Sequence, residues 1–274
     1  MTETFSTIAR NASEAAYPAL WRGLRLCWSA SLGQTGDTLQ TAVGTTTGTF
    51  SGTTAASIWQ RRHGKLCLDF DGTDDEAIIS GSDRYRLGSR WTMAIWWRTD
   101  QASLSANDPI ITSAGYFSSG DGSFVFRPSS TTNIQFASYE LGGTNLEFLS
   151  TCPVPTIGQG WHQTVLHCDG STLRVQHDGK QLSSTISHTK QINDLQQGLR
   201  LSDDHQNSKI DGSIAETAFW SRDLTQPERM QLWLSGPGEW LARKRRRVYS
   251  IPAGVIVYAQ RLPRHRTIIG GGLR

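Results

Sequence analysis

Three observations predict an all-β fold. Ser, Thr and Gly are abundant, Met occurs only three times, and no stretch carries long helical periodicity. Short apolar runs recur along the chain, separated by Gly-, Ser- and Thr-rich turns. Residues 160–184 hold two Asp-Gly pairs, Asp169-Gly170 and Asp178-Gly179, each between apolar-rich runs. A two-residue type I′ turn needs φ > 0 at both central positions, which Asp and Gly tolerate. The stretch therefore reads as a three-stranded antiparallel meander.

Alternation sets an expected register. Pairing Cys168 with Ser171 places Leu166 opposite Leu173, Thr164 opposite Val175 and His162 opposite His177. Pairing His177 with Lys180 places Val175 opposite Leu182. One face then collects Leu166, Leu173, Val175 and Leu182, while Arg174, Gln176, Gln181 and Ser183 take the other.

The remaining elements follow in order. Residues 1–19 are polar with an alanine patch ending at Pro18, and read as a short helix or arm. The sandwich begins at Leu24, with Leu24, Leu26 and Trp28 expected on one face and Cys27 on the outer side. Residues 34–57 lack apolar periodicity and read as one long loop. Strands are predicted at 65–70, with Cys67 outward, and at 76–79 and 91–98. In the last, Thr92, Ala94 and Trp96 alternate with Met93, Ile95 and Trp97, so a central strand covered on both faces is expected. Further strands fall at 109–113, 123–127, 133–138, 146–149, 199–202 and 209–220. Thr225 and Glu228 form a capping-box pattern with Pro227 in the first turn, predicting one short helix over 226–234 that ends at Gly236-Pro237-Gly238.

The string WHQTVLHCDGSTLRVQHDGKQL resembles the central meander of laminin G-like domains in the concanavalin A-like lectin/glucanase superfamily. Leu68–Asp75 (LDFDGTDD) resembles an early strand end of that family. Ile210–Glu216 through Trp220, with Leu224–Glu228, resembles its last core strand and short helix. The three matches fall in family order. The resemblance implies a jelly-roll β-sandwich over residues 20–238, flanked by an N-terminal arm (1–19) and a basic C-terminal tail (239–274). A fold of this kind does not by itself specify a function.

Paired carboxylates are the first chemistry to seek, because the resemblance extends to glycoside hydrolases. Retaining hydrolysis needs two carboxyl groups about 5 Å apart, and two residues apart on a strand gives the same face. Asp69 and Asp71 alone have that spacing on a strand, and the Glu-x-Asp-x-x-Glu signature of the family's glucanases is missing. A non-enzymatic protein is expected. Asp69, Asp71, Asp74 and Asp75 supply the hard oxygen ligands that Ca²⁺ takes, making it the one candidate ion, with no organic cofactor implied. Asp203, Asp204, Asn207 and Asp211 form a second acidic group; the structural reading of both groups is turn capping. Where the family often has an Asp before the Glu of its last strand, this chain has Ala215. His162 and His177 would face each other and, with no third ligand evident, read as a structural pair rather than a transition-metal site. Tyr85, Trp91, Tyr116, Tyr139 and Trp161 lie at or near predicted loops, where aromatic rings stack on sugars; sequence alone identifies no glycan-binding residue.

Net charge is +3 but unevenly placed. Of the 27 Lys and Arg, nine lie in 241–274 with no acid, so the first 240 residues hold 18 bases against all 24 acids, a net of −6. Arg243, Lys244, Arg245, Arg246 and Arg247 precede an apolar segment containing Val255, Ile256 and Val257, then Arg261, Arg264 and Arg266. This pattern suits docking on an acidic protein surface, with the apolar strand added to a partner's sheet edge. A laminin G-like domain with a basic, Gly-ended tail resembles tailed-phage virion proteins. That implies a decoration protein assembled in the host cytoplasm into a virion. Its partners would be capsid or tail subunits, a further copy of the chain, or a host-surface glycan, and no membrane. No signal peptide is legible in residues 1–14, and the four cysteines have no paired or metal-like spacing, so reduced thiols are expected.

Overall fold

The computed structural model describes residues 7–32, 36–43, 47–79, 86–101, 109–113, 124–139, 146–189, 191–192, 198–202 and 209–241. Helices α1 (Thr7–Ala16) and α2 (Pro18–Trp21) lead into β1 (Leu24–Ser29). The stretch expected as one long loop instead contains β2 (Thr38–Gln40), β3 (Thr47–Ser51) and the single turn α3 (Ala55–Ile58). β2 pairs with β3, and β3 with residues 76–79, so local apolar alternation does not mark these short outer strands. β4 (Trp59–Arg62) turns through His63–Gly64 into β5 (Lys65–Asp71). Both turn residues have positive φ, 47° and 75°, as a type I′ hairpin requires.

Next come β6 (Glu76–Ile79), β7 (Arg90–Thr99), β8 (Ile111–Ser113), β9 (Phe124–Ser130), β10 (Asn133–Tyr139) and β11 (Leu146–Pro153). The meander is β12 (His162–Asp169), β13 (Thr172–His177) and β14 (Lys180–Ser187). β15 (Leu199–Leu201), β16 (Asp211–Trp220) and α4 (Gln226–Ser235) complete the described elements. One sheet runs β14-β13-β12-β7-β16-β5-β4, and β1 also pairs with β16; the other runs β11-β10-β9-β8-β15-β6-β3-β2. This is the two-sheet antiparallel sandwich that the meander and the resemblance implied. One edge of β16 pairs with β7, and the other is shared end to end by β5 and β1.

The meander register differs from expectation by two residues on its first hairpin. Leu166 pairs with Val175, Cys168 with Leu173 and Thr164 with His177, so His162 is not directly opposite His177. The turn is Gly170-Ser171 rather than Asp169-Gly170. Gly170 takes φ of 99°, and the Asp169 carboxylate accepts the N–H groups of Ser171 and Thr172, both at 3.0 Å. Asp169 thus closes the turn from outside it. The second turn is Asp178-Gly179 as expected, with φ of 47° and 78°. A bulge between Arg174 and Gln176 then shifts the pairing that would have set Val175 against Leu182. A two-residue shift preserves facing, so Leu166, Leu173 and Val175 still enter the main core, with Leu182 packed against it.

The main core lies between the sheets and includes Met93, Ile95 and Trp97 from one face of β7. The opposite face is covered too. Ala94 joins a second apolar layer with Leu20, Trp21, Cys27, Val165, Ala218, Trp220, Leu232, Trp240 and Leu241, while Trp96 stacks on Trp233 of α4 at 5.2 Å. Leu24 belongs to that outer layer, unlike Leu26 and Trp28, because a bulge interrupts β1 between Leu24 and Leu26. Cys27 and Cys67 are on outward strand faces but fully buried, because the terminal segments and α4 cover those faces. No disulfide joins the four cysteines.

Both ends of the described chain help form this outer layer. Trp21 Nε1 donates to Ser13 Oγ at 2.9 Å, and Ser13 Oγ donates to the Trp240 carbonyl at 2.7 Å. Trp240 Nε1 donates to Glu216 Oε1 at 2.8 Å, and the Gly238 N–H donates to Oε2. Glu216 is 2% exposed, and burial pushes its carboxyl up to about 7. Residues 239–241, assigned to the tail on sequence, therefore pack with the sandwich, as do Ser13 and Tyr17 of the expected arm. The compact unit extends to Arg243; residues 244–274, a separate unit, lie outside the described residues. α4 has the anticipated capping box, with the Thr225 N–H donating to Glu228 at 2.8 Å. No described helix is long and apolar enough to cross a membrane.

Candidate functional site

Where β5 ends and β6 and β16 begin, a cleft of about 650 Å³ opens between the loop after β3 and the strand ends. Asp69, Asp71, Asp75 and Asp211 line it with Thr53, Ser57 and Arg62. Two glycines let the backbone close around it. Gly52 has φ of 75°, and a Cβ there would meet the Asp74 carbonyl oxygen at 2.1 Å. Gly72, at the same φ, lies against Asp211, whose Cβ would be 2.9 Å from an added Cβ. Asp211 is also the pairing partner of Asp71 across the β5–β16 ladder.

The four aspartates expected to act together divide. Asp69 accepts from Ser213 Oγ at 2.5 Å and is ion-paired with Arg62, so both of its oxygens are engaged. Asp71, Asp74 and Asp75 each offer a carboxylate oxygen, and these lie within 4.8 Å of one another. Asp71 also accepts the Thr73 N–H at 2.8 Å, and the Asp71 N–H donates to Asp75 at 3.3 Å. Burial, with the Asp71 charge beside it, raises the Asp75 pKa. Burial, then the charges of Asp100, Asp69 and Asp71, raises that of Asp211. The cleft thus concentrates negative charge with a single guanidinium at its margin, held charged by Asp69. A hard cation fits three such carboxylates.

Asp203, Asp204 and Asn207 lie outside the described residues, as do Tyr85, Tyr116 and every basic and apolar position assigned to the tail from Arg243 to Arg266. Trp91 is fully buried in the main core and is no sugar platform. Tyr139 lies on β10. Trp161 is half-buried beside Trp96 and Trp233, and its indole N–H donates to the Arg62 carbonyl at 3.1 Å. His162 and His177 stack with ring centroids 5.3 Å apart, although the register sets them diagonally. Burial alone lowers the His162 pKa, and the Asp178 carboxylate more than offsets that; burial holds His177 down at about 4. Sequence reasoning missed Arg62, Thr53 and Ser57. The His63-Gly64 turn after Trp59 marks the hairpin that positions Arg62, whereas Thr53 and Ser57 carry no local signal.

Residues 71–228 match the laminin G-like model of the concanavalin A-like lectin/glucanases superfamily. The chain belongs to this superfamily. No curated protein matches it in sequence. Among solved structures this superfamily sandwich is similar to the binding domain of botulinum neurotoxin DC in complex with SialylT, at 13% identity and a TM-score of 0.56, covering 78% of this chain and 51% of that one. It is also similar to domain 4 of AbnA, a GH43 extracellular arabinanase of Geobacillus stearothermophilus, in complex with arabinotriose, at 12% identity and 0.54, covering 76% and 97%. Trypanosoma rangeli sialidase in complex with sialic acid matches at 15% and 0.54, covering 81% and 34%. At these identities the likeness is one of fold, and the chain spans about half the length of the toxin binding domains it matches.

Proposed function

We propose that this sandwich is a non-enzymatic carbohydrate-binding module whose site is the acidic cleft, with Ca²⁺ held by Asp71, Asp74 and Asp75. The observation that carries the reading is the cleft's donor set: carboxylates that only accept, threonine and serine hydroxyls, and one guanidinium. Sugar hydroxyls both donate and accept, so they pair with all three and complete the coordination of a hard cation. Asp69 is excluded from the ion by its pairing with Arg62 and Ser213. Asp69 lines the cleft beside Asp71, but its two oxygens are bonded to Arg62 and Ser213, which weighs against the pair as acid and nucleophile. Solved complexes of fold neighbours with arabinotriose and sialic acid agree with a glycan ligand.

A glycan array probed with the full chain, with Ca²⁺ and with a chelator, tests this. Binding is expected with Ca²⁺, and its loss with chelator or on Asp75→Asn or Arg62→Ala. Glycan retention unaffected by either substitution would place the site elsewhere. Release of reducing sugar from any bound polysaccharide would overturn the non-enzymatic reading.

A second reading rests on the tail, whose nine bases and no acids contrast with the acidic remainder. It is a surface-displayed module of a phage-like virion, anchored on acidic capsid or tail subunits or on copies of itself. Co-assembly of a chain ending at Arg243 with its particle would count against that anchor.

A further inference from the structure

The turn between β13 and β14 brings two imidazoles and a carboxylate together. Asp178 Oδ1 accepts the Gln163 N–H at 2.8 Å, which fixes the carboxylate and directs Oδ2 to His162 Nδ1, also at 2.8 Å. His177 Nε2 is 3.6 Å from the same oxygen, too far for a hydrogen bond. His177 is 1% exposed, and its Nε2 has no hydrogen-bond partner.

Donor and acceptor roles show that this place calls for a positive charge. His162 Nε2 lies 3.2 Å from the Gly158 carbonyl, which only accepts, so Nε2 bears a hydrogen. His162 Nδ1 then faces a carboxylate oxygen, and two lone pairs at 2.8 Å repel unless a proton or a cation lies between them. His177 Nδ1 is 3.0 Å from Thr164 Oγ1, which already accepts from Trp97 Nε1 at 3.0 Å. That hydroxyl can donate to Nδ1 or accept from it; in the tautomer where the His177 Nδ1–H donates to its second lone pair, Nε2 is an open lone pair turned toward Asp178, the form that binds a metal.

Three donor atoms, His162 Nδ1, His177 Nε2 and Asp178 Oδ2, thus lie within 4.8 Å of one another. Tetrahedral zinc with bonds of about 2.0–2.1 Å separates its ligands by about 3.3 Å. The 3.6 Å separation already approaches that value, and the 2.8 Å contact reaches it by opening slightly. The supports a metal site needs are present: Gly158 and Thr164 hold the outer nitrogens, and Gln163 holds the carboxylate. Asp178 is 29% exposed in its side chain, which leaves water access to a fourth position. Two nitrogens and one oxygen suit zinc-like dications rather than Ca²⁺.

We infer that His162, His177 and Asp178 form a transition-metal site of the zinc class, the ion taking the place of the His162 Nδ1 proton. The test is calorimetric titration of the chelator-stripped full chain with Zn²⁺ alone at pH 7.5, paired with visible absorption of the Co²⁺ form. One equivalent is expected at a Kd of about 1 μM or tighter, with the d–d bands of tetrahedral Co²⁺. His177→Phe, which keeps the stacked ring and the volume, and Asp178→Asn, which keeps a turn-compatible residue, should each weaken uptake at least tenfold. Asp75→Asn, in the acidic cleft, should not. Unchanged uptake in either of the first two variants overturns the site, as does a wild-type chain that takes up no Zn²⁺. Circular dichroism of each variant separates loss of ligand from loss of fold.

Discussion

Replacing Glu216 by Gln should remove a pH-dependence of stability that the wild-type chain carries. The carboxyl has a pKa of about 7 in the fold against 4.5 ordinarily. Between those values the folded state holds a proton that the unfolded state has released. Stability from this group is therefore full below about pH 4.5 and is lost as pH rises through 7. Integrated between pH 5 and pH 8, the loss is about 2.5 kcal/mol, at about 1.36 kcal/mol per pH unit over the affected range. Glutamine has no such loss. It does set an –NH₂ against either the Trp240 indole N–H or the Gly238 N–H, at a cost of about 1–3 kcal/mol that does not vary with pH. The informative quantity is thus the change in the variant-minus-wild-type difference from pH 5 to pH 8, about 2.5 kcal/mol in favour of the variant. Distant titrating groups, His162, His177, Asp75 and Asp211 among them, cancel in that difference. Urea unfolding followed by tryptophan fluorescence at fixed ionic strength measures it. Parallel pH profiles for the two proteins would refute the reasoning.

Other expected outcomes concern the same fold. A chain ending at Gly238 loses Trp240 and Leu241 and should be destabilised by at least the ~3–5 kcal/mol of a buried Trp truncation, whereas one ending at Arg243 should unfold like the full chain; equal thermal midpoints would contradict the packing. The thiols of Cys27, Cys67 and Cys152 are raised by burial, Cys67 to about 11, so native protein should react slowly with a thiol reagent. In denaturant without reductant all four cysteines should react at once, and two or fewer reacting would reveal a disulfide. Gly52→Ala forces a Cβ against the Asp74 carbonyl at positive φ, and should cost ~1–3 kcal/mol or more while disturbing the cleft; an unchanged thermal midpoint would show that the loop yields freely.

How much was legible in the sequence can be judged from particular residues. The sandwich was readable because alternation in β7 and β12–β14 is strong and the capping box at Thr225–Glu228 is local. The register of the first hairpin was not legible because Asp169 acts through its side chain, capping two N–H groups from outside the turn. Strands β2, β3 and β4 were not legible for different reasons: β3 takes its ladder partner at residues 76–79, β2 is a three-residue strand laid on β3, and β4 is a short, mostly polar hairpin arm on β5. At the cleft, the cluster Asp71, Asp74 and Asp75 was legible, since sequence neighbours converge there. The removal of Asp69 by Arg62 and Ser213 was not, because Ser213 is 144 residues distant. Asp178 as a third ligand beside the histidines was hidden for a related reason. Its reach to His162 depends on the diagonal offset that the wrong register concealed.

The junction of Ser13 with Trp240 also decides how the module carries load. A pull that separates α1 and α2 from residues 239–241 would load the Ser13–Trp240 hydrogen bond and the Trp21–Trp240 ring contact directly. Each freed contact exposes more of the outer aromatic layer, so rupture there should occur at low force while both sheets remain intact. β16 rises about 3.3 Å per residue, which sets Asp211, on the cleft, about 17 Å along the strand from Glu216, the residue that Trp240 holds. A sandwich opened at this junction would give way there first, with the β5–β16 pairing of Asp71 and Asp211 still in place.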